Sequence, residues 1–372
     1  MRLNALFCDG AIFQANKPVR IFGTGGGTLE IEFCGKTYSE EKTGACWCME
    51  LAPCDYGGPY EMTVTMDGRT QVLHDLYFGD VYLLAGQSNM QFKLKQAAYT
   101  EEMCEDDALL RLFSTERVDS GERFFPQDGW VKAQKTTVTD WSCIGYFVGR
   151  ELRKQTGKAI GLIGCYQGAA DIQTFLPESA FENPAFQLAD KDRFDIHYPW
   201  NAGHSQLYNF QVKQILPISL AAVLWYQGES NDSDKESLVY GEMLSCLIAS
   251  WRAAFQDEAL PFAVVQIADF DGRDNVYWHR IQKAQEEISQ TEANVSTVIS
   301  RDVCETSDIH PKKNMRLPCV SSKLSKPGKM RTDLLWILFL LKRIKKRDLS
   351  VCDKSRCVNR RSVSLHKTRF FI

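Results

Sequence analysis

The sequence predicts an α/β protein in which a parallel sheet carries helices on both faces, preceded by a small N-terminal β-sandwich. Two patterns carry this prediction: strand-like apolar runs alternate with helical segments after about residue 76, and period-two alternation dominates before it. A third observation concerns function, because polar clusters follow three of the apolar runs. Carboxyl ends of parallel strands meet at one edge of a sheet, so the three clusters predict one site.

Residues 1–75 form the predicted β-sandwich domain. Residues 29–33 and 60–65 alternate apolar and polar side chains, and Gly and Pro clusters at 23–27 and 57–59 punctuate them as turns. Such a module could simply buttress the second domain or could contact carbohydrate, and the pattern favours neither role.

Residues 76–312 form the predicted α/β domain. Its expected strands are 77–85, 159–165, 217–226, 261–267 and 294–299, and its expected helices are 145–156, 240–255 and 277–289. The run 217–226 is apolar almost throughout, as expected for a strand buried on both faces of a sheet.

The three polar clusters contain the residues of an acyl-transfer site. Ser88 follows the first run, Gln227 the second and His310 the third. A serine hydroxyl becomes a nucleophile when a neighbouring base takes its proton, and histidine suits that role because its pKa lies near neutrality. Asp308 could orient the His310 imidazole, so Ser88, His310 and Asp308 are the predicted catalytic residues.

A tetrahedral intermediate also needs hydrogen-bond donors around its oxyanion. The predicted donors are the backbone N–H groups of Ser88 and Gly168 and the side-chain amide of Gln227. Each residue alone has a simpler explanation as a turn or packing residue, and Met90 replaces the last glycine of a Gly-x-Ser-x-Gly elbow. The prediction therefore rests on the combination.

The motifs resemble those of sialate O-acetylesterases in the SGNH hydrolase superfamily. The matching segments, in order, are Ala-Gly-Gln-Ser-Asn-Met (85–90), Trp-Tyr-Gln-Gly-Glu-Ser-Asn (225–231) and Asp-Ile-His-Pro-Lys (308–312), and segments 7–19 and 207–209 also match. The resemblance implies a flavodoxin-like α/β fold and hydrolysis of sugar O-acetyl esters. It implies the roles given above for Ser88, His310, Asp308, Gly168 and Gln227, with no metal or organic cofactor.

The chain departs from the family pattern at two places. The acid usually stands three residues before the histidine, where this chain has Ser307, and Asp302 is a less favoured substitute for Asp308. Residues 166–170 read Tyr-Gln-Gly-Ala-Ala where the family more often shows a Ser-Trp-Gly-Gly type run. The first departure concerns the acid that partners the histidine, and the second concerns the acyl pocket.

An O-acetylated sugar is the expected partner, and several hypotheses stay open about it. Sialic acid carrying a 9-O-acetyl group, acetylated xylan and other acetylated sugars need the same catalytic residues. A protein of another class, a non-catalytic sugar-binding protein with a decayed hydrolase site, is the alternative. Residues 181–202 could form the rim that contacts the sugar. The eight tryptophans could stack on sugar rings, but packing in the core or at the rim is the expected role for most of them, which include Trp130, Trp141, Trp200 and Trp278. The acidic body argues against a nucleic-acid partner, no membrane partner is expected, and the oligomeric state stays open.

Residues 313–372 form a basic tail. Of the chain's 44 Lys and Arg residues, 18 lie in 311–372, with 3 of its 47 Asp and Glu residues. The change of composition falls at a Lys-Lys-Asn stretch, whose adenine-rich codons favour a slipped reading frame. We expect a frame-shifted or disordered tail, and a basic arm for nucleic acid or an anionic membrane is the alternative. Its apolar run 334–341 is too short to span a bilayer.

Composition adds expectations about compartment and metals. The first residues lack the apolar stretch of a secretory signal, which favours a cytoplasmic protein. The 13 cysteines include no Cys-x-x-Cys pair, so reduced thiols and no metal site are expected.

Overall fold

A computed structural model describes residues 1–115, 117–119, 122–124, 129–191, 198–301 and 305–311. The predicted basic tail, residues 313–372, and the alternative acid Asp302 lie outside the described residues.

The described strands and α-helices run in the following order along the chain. The strands are β1 (Arg2–Leu3), β2 (Ile12–Gln14), β3 (Val19–Thr24), β4 (Gly27–Phe33), β5 (Lys36–Lys42), β6 (Cys46–Leu51), β7 (Gly57–Met66), β8 (Arg69–Gly86), β9 (Asp107–Ser114), β10 (Arg117–Asp119), β11 (Glu122–Phe124), β12 (Val131–Ala133), β13 (Ile160–Tyr166), β14 (Ala222–Tyr226), β15 (Phe262–Val265) and β16 (Val295–Val298). The helices are α1 (Ser88–Gln91), α2 (Cys143–Thr156), α3 (Pro184–Lys191), α4 (Gln206–Phe210), α5 (Asp234–Ala254) and α6 (Val276–Thr291).

The N-terminal segment is built mostly from antiparallel strands, and its strand β2 pairs parallel with β8. The strands β1, β3 and β6 form a three-stranded sheet, and β5, β4, β7 and the first half of β8 pair antiparallel in a second one. Alternation of apolar and polar residues favours such strands, because successive side chains point to opposite faces. In β4, Leu29, Ile31 and Phe33 are buried while Glu30 and Glu32 are exposed.

The strand β8 joins the N-terminal sheet to the central sheet. It pairs with β7 through its first half and with β13 and β14 through its second half. The chain therefore crosses the predicted domain boundary at residues 75 and 76 inside one continuous strand rather than in a linker.

The central sheet has the order β12-β9-β13-β8-β14-β15-β16, in which every pair from β9 to β16 is parallel and β12 is antiparallel. All residues of β13 and β14 are buried, which explains their near-continuous apolar sequences. The helix α2 packs against β9 and β13, and α6 packs against β16 and α5. After β8, the chain first adds β9 and β13 on one side of it and then adds β14, β15 and β16 on the other side. The strand order therefore reverses at β8, and open α/β sheets bind ligands at such reversals.

The strand β9 was absent from the sequence-based prediction. Arg111 interrupts its apolar pattern, yet only 1% of its side-chain surface is exposed. Its guanidinium donates to the carbonyls of Gly10 and Asp75 at 2.6 and 2.8 Å and pairs with the Asp75 carboxylate. A charge that long-range partners satisfy so fully cannot be recognised from local periodicity.

Among the described helices, none is long and apolar enough to span a bilayer.

Candidate active site

Three strand ends bring the clusters of Ser88 and Gln227 together with the turn that contains Gly168. Gly86 at the end of β8 lies in register with Tyr166 of β13 on one side and Tyr226 of β14 on the other. The backbone requires glycine at 86, because its φ is +135° and a Cβ would collide with the Tyr226 carbonyl. The clusters at 87–91, 167–170 and 227–231 therefore begin side by side.

Ser88 is the first residue of α1 and is half-buried. The turn that presents it is held from the β14 side: the Gln87 N–H donates to the Tyr226 carbonyl at 2.9 Å. The Gln87 side-chain oxygen accepts the N–H groups of Gly228 and Ser230, both at 3.2 Å. The serine is thus fixed to the segment that follows β14.

His310 lies across the same cleft, which has a volume of about 350 Å³ and is lined by both Ser88 and His310. Its ring stacks on Phe92 with a centroid distance of 5.7 Å. Burial lowers the pKa of His310, and the Asp308 charge partly opposes that shift. A neutral imidazole at neutral pH is the form that can accept a proton.

Asp308 contacts His310 through the main chain. Its Oδ1 accepts the backbone N–H of His310 at 2.9 Å. Among the described residues, no side-chain hydrogen bond joins the Asp308 carboxylate to the imidazole, and none joins the Ser88 hydroxyl to it. Asp308 therefore acts on His310 in this conformation by shaping its loop and by its charge.

Gly168 lies next to Ser88. A Cβ built on Gly168 would stand 3.8 Å from the Ser88 Cβ, and both residues line the cleft. The Gly168 N–H donates to the side-chain oxygen of Gln91 at 2.6 Å. This predicted oxyanion donor already has an acceptor, supplied by the helix of the serine.

Gln227 is fully buried behind the cleft. Its amide donates to the Ala170 carbonyl at 3.1 Å and to Asn231 Oδ1 at 2.7 Å, and its oxygen accepts the Tyr240 hydroxyl at 3.1 Å. Both amide hydrogens are in use, so the side chain offers none to the cleft here. The predicted oxyanion role of Gln227 would require these hydrogen bonds to break.

Glu229, two residues later, lines the cleft and was not among the predicted site residues. It is 4% exposed, and its Oε1 accepts the Asn89 amide at 2.5 Å. The same amide donates to the Ile309 carbonyl at 3.1 Å, so Asn89 joins Glu229 to the loop of His310. Burial raises the pKa of Glu229 to about 7. The sequence feature that could have identified Glu229 is its position in the motif that follows β14.

Aromatic and cationic side chains complete the cleft. Tyr198 and Trp200 stack with a centroid distance of 4.8 Å, and both line the cleft with Arg273. The Arg273 guanidinium lies 3.3 Å from the buried carboxylate of Asp232. Of the predicted sugar-contacting segment 181–202, residues 192–197 lie outside the described part of the chain.

The other tryptophans named from the sequence lie in the hydrophobic core rather than in this cleft: Trp130, Trp141 and Trp278. Within the described ranges, no group of three or more His, Cys, Asp or Glu side chains could hold a metal ion.

The chain is similar in sequence to known esterases. Residues 78–316 match the model of a carbohydrate esterase family described as sialic acid-specific acetylesterase. The chain is 25% identical to sialate O-acetylesterase of Rattus norvegicus over 78% of this chain and 66% of that protein. It is also 25% identical to the Homo sapiens protein of that name, over 78% of this chain and 63% of that one. The chain therefore spans just under two thirds of the length of these relatives.

A solved structure shares the fold. A carbohydrate acetylesterase from Xanthomonas citri superposes with a TM-score of 0.72 and 28% sequence identity, over 83% of this chain and 71% of that one. The similarity supports a mixed α/β fold with a central sheet and helices.

Proposed function

The chain belongs to the carbohydrate esterase family of sialic acid-specific acetylesterases, and from this premise we propose that it hydrolyses sugar O-acetyl esters through an acyl-enzyme on Ser88. The observation that carries the proposal is that Ser88 and His310, more than 200 residues apart in sequence, line one cleft at the carboxyl ends of parallel strands. Sites of this composition and position suit acyl transfer.

In the proposed first step, the Ser88 hydroxyl attacks the acetyl carbonyl while neutral His310 accepts its proton. The resulting imidazolium then gives that proton to the sugar oxygen, which leaves as an alcohol. Water attacks the acetyl-serine by the reverse sequence and releases acetate. The lowered pKa of His310 supports the base role, and the nearby Asp308 charge stabilises the imidazolium.

The developing oxyanion would bind to backbone donors. The Ser88 and Gly168 N–H groups are the proposed pair, since the Cβ position of Gly168 is 3.8 Å from Ser88 Cβ. Gln91 must release the Gly168 N–H before the carbonyl oxygen can take its place. Each such donor contributes roughly 100- to 1,000-fold to the rate of acyl transfer.

We propose an acidic sugar, such as 9-O-acetylated sialic acid, as the preferred substrate. A cleft of about 350 Å³ suits a small ligand such as a single sugar unit. The cationic Arg273 and the stacked Tyr198 and Trp200 line it, and a guanidinium favours a carboxylate. One observation favours acetylated xylan instead: the buried Asp232 carboxylate already faces Arg273 at 3.3 Å.

Acetate release by the purified chain from both acetylated sugars, with Ser88→Ala as the blank, tests the proposal. Serine-dependent release that is faster from sialic acid, with the preference lost in Arg273→Met, is expected. Faster release from acetylated xylo-oligosaccharide would favour the acetylxylan esterase. A folded protein that releases no acetate but binds either sugar would instead be the non-catalytic sugar-binding protein.

A further inference from the structure

Glu229 holds an unpartnered carboxyl oxygen at the wall of the Ser88 cleft. The side chain is more than nine-tenths buried and lines the cleft. Its Oε2 has no hydrogen-bond partner among the described residues. An unsatisfied buried oxygen costs free energy unless a ligand, a water or a proton satisfies it.

The hydrogen bonds around Glu229 decide which oxygen carries a proton. Asn89 Nδ2 donates to Oε1 at 2.5 Å, so Oε1 is the acceptor of the carboxyl group. A proton on the group therefore belongs on Oε2, where it becomes an O–H donor. Oε2 meets no acceptor among the described residues, and its own surface is closed off, so that O–H can donate to a ligand only after the side chain turns toward the cleft that it lines.

The charged and titratable groups on the surrounding elements leave Glu229 without an ion pair in the described structure. Tyr240 of α5 is neutral, since burial raises its pKa, and its hydroxyl donates to Gln227. Asp232 lies on the same turn, and it forms an ion pair with Arg273. His310 across the cleft has a lowered pKa and is neutral at neutral pH.

The segment of Glu229 is tied to both neighbours of Ser88. Gln87 accepts the N–H groups of Gly228 and Ser230, and Asn89 binds Glu229 itself. These hydrogen bonds tie the segment of the carboxyl group to the segment of the serine.

We propose that Glu229 acts in its protonated form as a hydrogen-bond donor from Oε2 to the ester oxygen that becomes the oxyanion during attack by Ser88. It would fill the side-chain donor role that the sequence assigned to Gln227. This inference rests on the proposed function. Burial favours the protonated form, since it raises the pKa of Glu229 to about 7.

The test compares Glu229→Gln and Glu229→Leu with the wild type, by kcat and KM for acetate release from pH 5 to 9. Glutamine keeps an acceptor for Asn89 and an N–H donor on the other atom, and it does not titrate. Leucine has similar volume and no donor. We expect kcat of the wild type to fall above about pH 7. At pH 6, kcat of Glu229→Gln should stay within about tenfold of the wild-type value, and it should not fall above pH 7. We expect kcat of Glu229→Leu to be about 100-fold or more below the wild-type value, with little change in KM.

Three outcomes would overturn the inference. In the first, Glu229→Gln has as low a kcat as Glu229→Leu although both variants unfold at the wild-type temperature. In the second, the fall of kcat at alkaline pH persists in Glu229→Gln. In the third, Glu229→Leu changes KM but not kcat. If Glu229→Leu does not fold, the profile of Glu229→Gln alone decides. A wild type without serine-dependent acetate release would instead overturn the proposed function.

Discussion

The Gly168 N–H and the Gln91 side-chain oxygen are joined by a hydrogen bond of 2.6 Å beside Ser88. Gln91 is the last residue of α1, the short helix that begins at Ser88, and Gly168 follows β13. The protein thus supplies its own acceptor to a donor that the proposed reaction needs. An incoming carbonyl must compete with that acceptor.

Removing this acceptor should accelerate the reaction. We predict that Gln91→Ala raises kcat/KM for acetate esters by about 2- to 10-fold, the equivalent of one net hydrogen bond. Gln91→Glu should lower it, because an ionised carboxylate binds the N–H more strongly than an amide oxygen does. Steady-state kinetics at pH 7 measures both. A lower kcat/KM in Gln91→Ala, with unchanged thermal stability, would show that Gln91 positions Gly168 rather than blocks it.

Asp308→Asn should move the acid limb of the kcat/KM profile to lower pH. The Asp308 charge raises the pKa of His310 against the lowering by burial, so its removal lets the pKa fall further. Asparagine can still accept the backbone N–H of His310, and Asp308→Ala, which cannot, is the matched control. An unmoved limb in Asp308→Asn, together with a loss of activity in Asp302→Asn, would transfer the acid role to Asp302.

Glu229 should make the stability of the fold depend on pH. Its pKa is raised from 4.5 to about 7, so the native state binds the proton more strongly than the unfolded state. The resulting stabilisation is complete below about pH 4.5 and is lost as pH rises through about 7. We predict that the unfolding free energy of the wild type, relative to Glu229→Gln, falls by up to about 3 kcal/mol between pH 4 and pH 8. Urea unfolding at several pH values measures it, and a flat difference would contradict the raised pKa.

Asn231 holds the buried network behind the cleft. Its Oδ1 accepts from the Ile172 N–H and from Gln227, and its Nδ2 donates to Gln173 and to the buried Glu236. We predict that Asn231→Ala lowers the unfolding free energy by about 3 kcal/mol, because it leaves buried partners unsatisfied. Asn231→Asp should cost more at pH 7, since it places a second carboxylate against Glu236. Losses under about 0.5 kcal/mol in both variants would contradict the importance of this network.

The central strands and the convergence of the site could be predicted from the sequence for a physical reason. The residues of β13 and β14 are buried on both faces, and burial on both faces selects apolar runs that are visible in sequence. Parallel strands then bring Ser88, Gly168 and Gln227 to one edge without further information. The predicted strand 217–226 was longer than β14, because residues 217–221 are apolar except for Ser219 but lie before the strand.

The proposal of Glu229 in place of Gln227 as the side-chain donor could not be made from the sequence. Gly228 lies between them and has a positive φ of +154°, which favours glycine. A Cβ at this position would stand 2.9 Å from the Gln285 side chain. Packing against α6 therefore sets how the turn presents its side chains. The contact of Gln91 with Gly168, across 77 positions, likewise depends on tertiary structure.

The most direct test of the account is covalent labelling of the purified chain with a fluorophosphonate, followed by mass spectrometry of its peptides. A nucleophilic Ser88 with His310 as base predicts one labelled peptide, which contains Ser88, and labelling that fails in Ser88→Ala and is slowed by at least about 100-fold in His310→Ala. Equal labelling of the wild type and Ser88→Ala, or labelling at another serine alone, would contradict the central claim that Ser88 is the nucleophile of this cleft.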